Sequence, residues 1–229
     1  MSHKLWEPSS DRVQDANITQ FCEYLNYSGL GYYENYDQLW DFSVNNIDAF
    51  WSAFWDFSKI VGEKGETTLT NPESLIDARF FPDAKINFAE NILNKDAAGP
   101  AIIFHSENSI RTEWSWQDLR ETVSRLQQAL QASGVTSGDR IAGFVPNTPY
   151  TIAAALAAAS LGAVWCSCSP DFGFNAAMDR ISQIDPKIIF CADGYHYNGK
   201  EFSSIPTIAK LVDAIPSVET AIVFPLTKG

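Results

Sequence analysis

The sequence offers few side chains whose type and spacing suit metal or covalent chemistry, and its cysteines come first. Cys166 and Cys168 are two residues apart, so that both thiols face the same side of a strand. A zinc site needs about four ligands, and no nearby cysteine or histidine completes this pair at the usual spacing. We therefore predict buried structural thiols and no metal site. A total of 4 cysteines in 229 residues indicates reduced thiols in a cytoplasmic protein.

The other candidates for acid–base or phosphoryl chemistry are isolated in the sequence. His105 and His196 stand without a neighbouring nucleophile motif or a second nearby histidine. The triplet Asp-Phe-Gly at 171–173 matches the metal-binding triplet of protein kinases. The Gly-rich strand loop and the His-Arg-Asp motif of kinases are missing. We predict no catalytic residue in this chain.

Two glycine-containing segments resemble phosphate loops only superficially. Gly29 and Gly31 follow a helical pattern and lack the third glycine of a dinucleotide-binding fingerprint. Segment 62–68 has the wrong spacing for a phosphate loop, and its two glutamates repel an anion. Neither segment predicts a nucleotide site.

The elements that position any site follow from the apolar pattern. After residue 100, short apolar strands alternate with helices. The strands are expected at 101–105, 111–114, 139–145, 163–169, 187–192 and 220–224, and the helices from Ser115 and at 150–161, 175–184 and 204–215. This alternation predicts an α/β fold with a doubly wound, mostly parallel sheet. An aromatic-rich helical segment, with Asn17 as its expected N-cap, precedes the sheet. We expect residues 1–99 to pack on a sheet domain of residues 100–229.

The predicted sheet indicates where a ligand would bind. In doubly wound sheets, ligands bind at the carboxyl ends of the strands. Those ends are Val-Pro-Asn at 145–147, the segment 168–173 and Ala-Asp-Gly-Tyr at 192–195. We expect the functional site to lie among these three segments.

Composition and charge exclude several classes of protein. An apolar share of 45% with 7 Trp, 15 Phe and 8 Tyr excludes a disordered chain. A net charge of −12 gives no general attraction for nucleic acid or for an anionic membrane. No apolar run approaches the roughly 20 residues of a membrane-spanning helix, and the first residues lack the apolar region of a secretory signal. We predict no nucleic-acid or membrane partner and a cytoplasmic location.

Several sequence segments together resemble those of a known protein family. They are Leu-Trp-Glu-Pro-Ser at 5–9, the Phe-Trp pairs at 50–51 and 54–55, and the segments 78–93, 137–147, 160–173, 183–187 and 193–200, with Arg180 between them. The most specific is Ser-Leu-Gly-Ala-Val-Trp-Cys-Ser-Cys-Ser-Pro-Asp-Phe-Gly at 160–173. Together they resemble the adenylate-forming acyl-CoA synthetases, and among these the acetoacetyl-CoA synthetases (acetoacetate–CoA ligases). The resemblance covers the chain from Leu5 to about Pro225.

The resemblance implies a two-step ligase that uses ATP, coenzyme A and Mg²⁺. Acetoacetate would first form acetoacetyl-AMP with release of pyrophosphate, and the CoA thiol would then displace AMP. In related acetyl-CoA synthetases, the Phe-Gly turn and a later basic glycine segment line the CoA nucleotide site. The implied cofactor-binding residues are therefore Phe172, Gly173 and Lys200. Those enzymes carry arginine where this chain has Tyr-His-Tyr at 195–197, and a lone lysine lacks the bidentate fork of arginine.

The resemblance also implies that this is the amino-terminal part of such an enzyme. The phosphate loop, the acyl pocket and the catalytic lysine of the family would all lie beyond residue 229, so we expect the chain alone to be inactive. The alternative is a stand-alone CoA- or nucleotide-binding module without catalysis. Because a sheet that ends between strands exposes an unpaired edge, we expect the chain to self-associate through that edge.

Overall fold

The computed structural model describes residues 5–95, 97–107 and 111–227. Its chain divides into two compact units, Met1–Ile86 and Asn87–Gly229. The expected domains at 1–99 and 100–229 stay a prediction. Among the described residues, no helix is both long and apolar enough to cross a membrane.

The first unit is helical and aromatic. Its helices are α1 (Ser10–Gln14), α2 (Asn17–Tyr27), α3 (Tyr36–Asn45) and α4 (Ile47–Phe57). Two short antiparallel pairs follow, β1 (Gly62–Glu63) with β4 (Lys85–Ile86) and β2 (Leu69–Thr70) with β3 (Arg79–Phe80). Asn17 is the first residue of α2, because Ala16 occupies the N-cap position and makes no side-chain cap. The expected cap at Asn17 is therefore wrong.

Aromatic rings form much of the core of this first unit. The Phe21 ring contacts the rings of Phe50, Phe54 and Phe57 at centroid distances of 5.1–5.6 Å. Phe21 itself is 4% exposed. Each buried ring removes about 150–250 Å² from water, so a few rings suffice to hold the short helices together.

The second unit alternates strands and helices, as the sequence predicts. Its helices are α5 (Phe88–Leu93), α6 (Trp116–Ala132), α7 (Pro149–Ser160), α8 (Gly173–Ile181) and α9 (Ile205–Ala214). Its strands are β5 (Pro100–His105), β6 (Arg111–Ser115), β7 (Arg140–Phe144), β8 (Val164–Cys168), β9 (Ile188–Ala192), β10 (Gly194–Tyr197), β11 (Lys200–Ser203) and β12 (Thr220–Phe224). Short 3₁₀ turns at Pro170–Phe172 and Ser182–Ile184 flank α8.

Four of these strands form one parallel sheet in the order β12–β9–β7–β8. Side chains alternate between its two faces. Ile141, Ile188 and Phe190 pack on one face with residues of α6 and α7, whereas Ile189 and Cys191 pack on the other with residues of α8 and α9. Helices on both faces confirm the doubly wound α/β fold.

The remaining strands of the second unit form two antiparallel pairs outside the parallel sheet. β5 pairs with β6, and β10 pairs with β11. The first two predicted strands are therefore present, but they form an antiparallel pair and are not part of the parallel sheet. The pair β10–β11 was not expected from the sequence pattern.

Local sequence signals determine where the helices of the second unit begin and end, and so where its loops start. The Ser115 side chain accepts a hydrogen bond from the Asp118 backbone N–H, and the Asp118 carboxylate accepts one from the Ser115 N–H, forming a capping box at the start of α6. The same helix ends at Ala132, and Gly134 two residues later has a φ of +74°. There the N–H of Val135 donates to the carbonyl of Leu130, and the N–H of Gly134 to that of Gln131. Thr148 caps α7, which begins at Pro149, one residue before the expected start.

Candidate functional site

The candidate site lies at the carboxyl ends of β7, β8 and β9. After β7 the chain passes through α7 to β8, at one lateral end of the sheet. After β9 it passes through α9 to β12, at the opposite lateral end. The helices α7 and α9 cover opposite faces. The strand ends of β7 and β9 therefore diverge at a topological switch point, where open α/β sheets leave a crevice.

A polar cavity of about 340 Å³ occupies this edge. Its walls are the loop after β7, the loop after β8 and the start of β10. Asn147, Thr151, Ser169, Asp171 and His196 bring amide, hydroxyl, carboxylate and imidazole groups to it. These groups can accept and donate hydrogen bonds to a polar ligand.

A larger cavity of about 630 Å³ adjoins the same edge. The hairpin β5–β6 supplies one wall through His105 and Trp114, and the first turn of α7 supplies another through Tyr150. The Trp114 and Tyr150 rings meet edge to face at 5.1 Å. Pro146, Asn147, Tyr195 and His196 line both cavities, so the two share a wall.

The pKa values of the buried cysteines near the candidate site disfavour nucleophilic catalysis by cysteine. Burial, with a smaller contribution from Cys166, raises the pKa of Cys168 to about 11, and burial raises the pKa of Cys191 to about 12. Both thiols are therefore protonated near neutral pH, and the thiolate is the reactive form. Burial, followed by the charge of Asp171, also raises the pKa of Tyr195. Neither cavity is lined by lysine or arginine among the described residues.

Phe172 and Gly173 follow the cavity wall directly in sequence. Asp171 lines the polar cavity, and Phe172 closes the same 3₁₀ turn. Phe172 is 44% exposed as a residue, although the Arg180 guanidinium lies over its ring, 4.6 Å from the ring centroid. Gly173 has φ +66°, and a Cβ built there would meet nothing within 4 Å. The turn therefore requires glycine for its backbone angle and leaves the space beside it open.

Lys200 begins β11 at the tip of the β10–β11 hairpin. The turn before it contains Asn198 and Gly199 with φ values of +51° and +71°, which is the geometry of a type I′ turn. Lys200 is exposed. The described residues show no hydrogen bond, ion pair or ring contact between Lys200 and either Phe172 or Gly173. Lys200 pairs with Tyr197, which lines the polar cavity. None of Phe172, Gly173 and Lys200 lines either cavity, and their grouping as a CoA site stays a prediction.

The β10–β11 hairpin is held at its tip and across its two strands. At its tip, the Gly199 N–H donates to Oε2 of Glu107 over 3.2 Å. Along its strands, the Tyr195 and Phe202 rings stack at 5.3 Å. The Asn-Gly pair at 198–199 is a strong hairpin signal in the sequence and could have predicted this element.

Asp193 is a structural residue of the site that the sequence patterns did not single out. It is only 8% exposed. Its Oδ1 accepts hydrogen bonds from the backbone N–H groups of Leu226 and Thr227, at 2.8 and 3.1 Å. Leu226 lines the larger cavity, so Asp193 fixes the chain after β12 as part of that wall. The sequence placed Asp193 in the strand-end segment 192–195, but a lone aspartate after a strand carries no distinctive spacing, so its structural role could not be predicted.

Comparison with known proteins agrees with the resemblance of the sequence. Residues 90–227 match the model of the AMP-binding enzyme family, and residues 36–92 match that of the acetyl-coenzyme A synthetase N-terminus. Acetoacetyl-coenzyme A synthetase of Rhizobium meliloti (strain 1021) is 44% identical over 213 residues, which are 92% of this chain and 33% of the relative. A malonamoyl-CoA synthetase of Penicillium aethiopicum is 31% identical over 98% of this chain and 32% of its own.

A solved structure extends the agreement to three dimensions. Acetoacetyl-CoA synthetase from Streptomyces lividans matches with a TM-score of 0.90 at 34% identity, over 100% of this chain and 36% of the other. The chain thus spans about one third of the length of the relatives that it matches.

Proposed function

Because the chain belongs to the AMP-binding enzymes, we propose that it is part of an acid–thiol ligase that joins acetoacetate to coenzyme A at the expense of ATP. The observation that carries this proposal is the 44% identity with an acetoacetyl-CoA synthetase over 92% of the chain. Since the chain spans 33% of that relative, we assign the activity to the ligase as a whole and propose that these residues alone are inactive.

The proposed reaction has two steps. A carboxylate oxygen of acetoacetate attacks the α-phosphorus of ATP, and the bond to the β-phosphate breaks, giving acetoacetyl-AMP and pyrophosphate. The sulfur of the CoA thiolate then attacks the acyl carbon, and the bond to the AMP oxygen breaks. Both steps depend on positioning and on neutralisation of phosphate charge. Since no described lysine or arginine lines the two cavities, we assign this chain a binding role and no charge-neutralising role in adenylation.

Mg²⁺ would screen the ATP phosphates in such a ligase. The described residues hold no group of three or more His, Cys, Asp or Glu side chains that could ligate a metal ion. They do not fit a dedicated magnesium site, so we route no step through the metal in this part of the enzyme.

We propose that the CoA nucleotide binds against Phe172, Gly173 and Lys200. The exposed Phe172 ring offers a surface on which a base can stack. The open space beside Gly173 admits a ligand close to the backbone, and Lys200 offers a mobile point charge to a phosphate. The resemblance to acetyl-CoA synthetases is what supports this assignment.

The first experiment is acetoacetate-dependent ATP–pyrophosphate exchange, run on the 229-residue chain and on the product of its complete gene. Acetoacetate, malonamate and acetate are compared as substrates. Exchange by the longer product with acetoacetate preferred supports the proposal. Preference for malonamate or acetate would remove the substrate assignment. Exchange by neither protein, together with CoA binding, would favour the stand-alone binding module.

The CoA assignment is tested by separating the two half-reactions of the complete ligase. Phe172→Ala should leave ATP–pyrophosphate exchange unchanged and raise the KM for CoA in thioester formation roughly tenfold, as expected for a lost base stack. Val164→Ala, at an exposed position on strand β8, is the matched control. Loss of exchange with an unchanged KM for CoA would refute the assignment of Phe172.

We also propose that the 229-residue chain self-associates through the edges of its parallel sheet. The edge strands β8 and β12 expose Val164 and Val223, at 51% and 42%. Unpaired strand edges with apolar side chains are templates for association. Light scattering tests this, and a monodisperse monomer at high concentration would rule it out.

A further inference from the structure

Arg180 has an unusual environment for an exposed arginine. Its guanidinium lies over the Phe172 ring at 4.6 Å from the centroid. One of its nitrogens donates to the carbonyl of Ala176, one turn earlier in α8, over 2.9 Å. Among the described residues it forms no ion pair with a carboxylate. The side chain is therefore held by its own helix and by one aromatic ring.

Phe172 is held in a complementary way. It precedes α8 in a 3₁₀ turn, and Gly173 after it takes a φ of +66° that turns the chain into the helix. Nothing else in the described structure stacks on the ring. Arginine over an aromatic face is attracted electrostatically and stacks through its planar guanidinium, so it favours the ring orientation in which the two groups are in contact. Residue Phe172 is nevertheless 44% exposed, which leaves surface for a ligand.

We propose that Arg180 is a positioning residue that holds the Phe172 ring in place as a preformed stacking surface for the purine base of CoA. This inference rests on the proposed CoA role of Phe172 and adds to it the group that orients the ring. The base stacks on the uncovered side of the ring, so that ring, guanidinium and base form one stack. Orienting the ring before binding lowers the entropy cost of forming that stack.

The stack is tested first without a ligand. A phenyl ring shifts the NMR signals of protons above its face upfield, so the Arg180 Nε–H signal should lie upfield in the 229-residue chain. Phe172→Leu should return that signal to the position typical of exposed arginine. An Arg180 signal that does not respond to Phe172→Leu would overturn the proposal.

The consequence for binding is tested by titration calorimetry with CoA and with dephospho-CoA. Arg180→Lys keeps the charge and loses the planar stack, and should weaken both ligands equally, by about threefold, the size of an exposed cation–π contact. Arg180→Lys in a Phe172→Ala background should have no further effect. Arg125→Lys is the control, because Arg125 is an exposed arginine that, within the part of the chain that the structure describes, donates a hydrogen bond to Thr122 on its own helix.

The outcomes separate this inference from the proposed function. If Phe172→Ala weakens CoA binding and Arg180→Lys does not, the positioning role is wrong and the CoA site stands. If Arg180→Lys weakens CoA but not dephospho-CoA, Arg180 contacts the 3′-phosphate and the positioning role is again wrong. If neither the chain nor the complete ligase binds CoA through Phe172, the proposed site fails and the inference fails with it.

Discussion

The two units of the molecule each contain a concave surface, and the two surfaces differ in chemistry. In the first unit, a cavity of about 330 Å³ lies among the rings of Phe21, Tyr36, Phe50 and Phe54. In the second unit, the polar cavity at the carboxyl ends of the strands is lined by Asp171 and several hydroxyl groups from the segments after β7 and β8 and by His196 of strand β10. A ring-lined groove can form simply because short helices with bulky side chains pack imperfectly. Hydrogen-bonding groups that converge from two loops and a strand are a stronger indication of a ligand site.

The largest expected effect tests the view that the rings of the first unit serve packing. Phe21→Ala should lower the free energy of unfolding by about 3–5 kcal/mol, because Phe21 is buried among three other Phe rings. Urea denaturation followed by circular dichroism measures this. Ile18→Ala, at an exposed position on the same groove, should cost little. If both substitutions left stability unchanged and altered CoA binding, the groove would be a ligand site and the comparison would fail.

A second prediction concerns the tight packing between β7 and β8, below the carboxyl ends of these strands. A Cβ added at Gly143 on β7 would lie 2.8 Å from Cζ2 of Trp165 on β8. Gly143→Ala should therefore destabilise the second unit by about 1–3 kcal/mol. Trp165→Leu in the same protein should recover part of the loss, since it removes the ring that the new methyl group meets. Equal losses with and without Trp165 would show that the close approach is not the cause.

A third prediction sharpens the role of Asp193 as a support of the larger cavity. Asp193→Ala should cost about 1–3 kcal/mol, because two backbone N–H groups lose their acceptor. Hydrogen exchange at Leu226 and Thr227 should accelerate in this variant. Asp193→Asn, which keeps an acceptor oxygen, should change exchange much less. Unaltered protection of both amides in the alanine variant would contradict the assignment.

The smallest expected effect concerns the capping box of α6. Ser115→Ala should lower stability by about 1 kcal/mol. Hydrogen bonds from the Ser115 hydroxyl and backbone N–H lower the pKa of Asp118. A carboxyl whose pKa is lower in the folded state stabilises that state above its ordinary pKa, and this contribution is lost as the pH falls through the lowered value. NMR titration of Asp118 should show a higher pKa in Ser115→Ala, and an unchanged pKa would refute the pairing.

Much of the second unit could be predicted because its signals are local. The capping residues Ser115 and Thr148 and the terminating Gly134 act within one turn of chain, so the helix ends followed from sequence alone. The order of the strands did not, because β9 lies between β7 and β12 through contacts between residues far apart in the chain. In the first unit, the two-residue ladders of β1 to β4 are too short to produce a period in the sequence.

The location of the candidate site could be predicted from the sequence, but the contacts between its residues could be predicted only in part. The rule that ligands bind at the carboxyl ends of strands located both cavities. It could not show that Arg180 lies over Phe172, because that contact depends on how α8 leaves the 3₁₀ turn. Nor could it show that Asp193 holds the segment after β12, since that contact depends on the pairing of β9 with β12.

The strand order also bears on how the chain is made. β7 has two parallel partners, and β8 is synthesised before β9. Ile141 of β7 pairs with Trp165 of β8 on one side and with Ile188 of β9 on the other. Until β9 has been synthesised, one edge of a strand destined for the middle of the sheet stays open to any other extended chain. Contacts between distant residues slow folding, and open edges favour aggregation while they last. The nascent chain therefore remains open to aggregation through β7 until β9 has been synthesised.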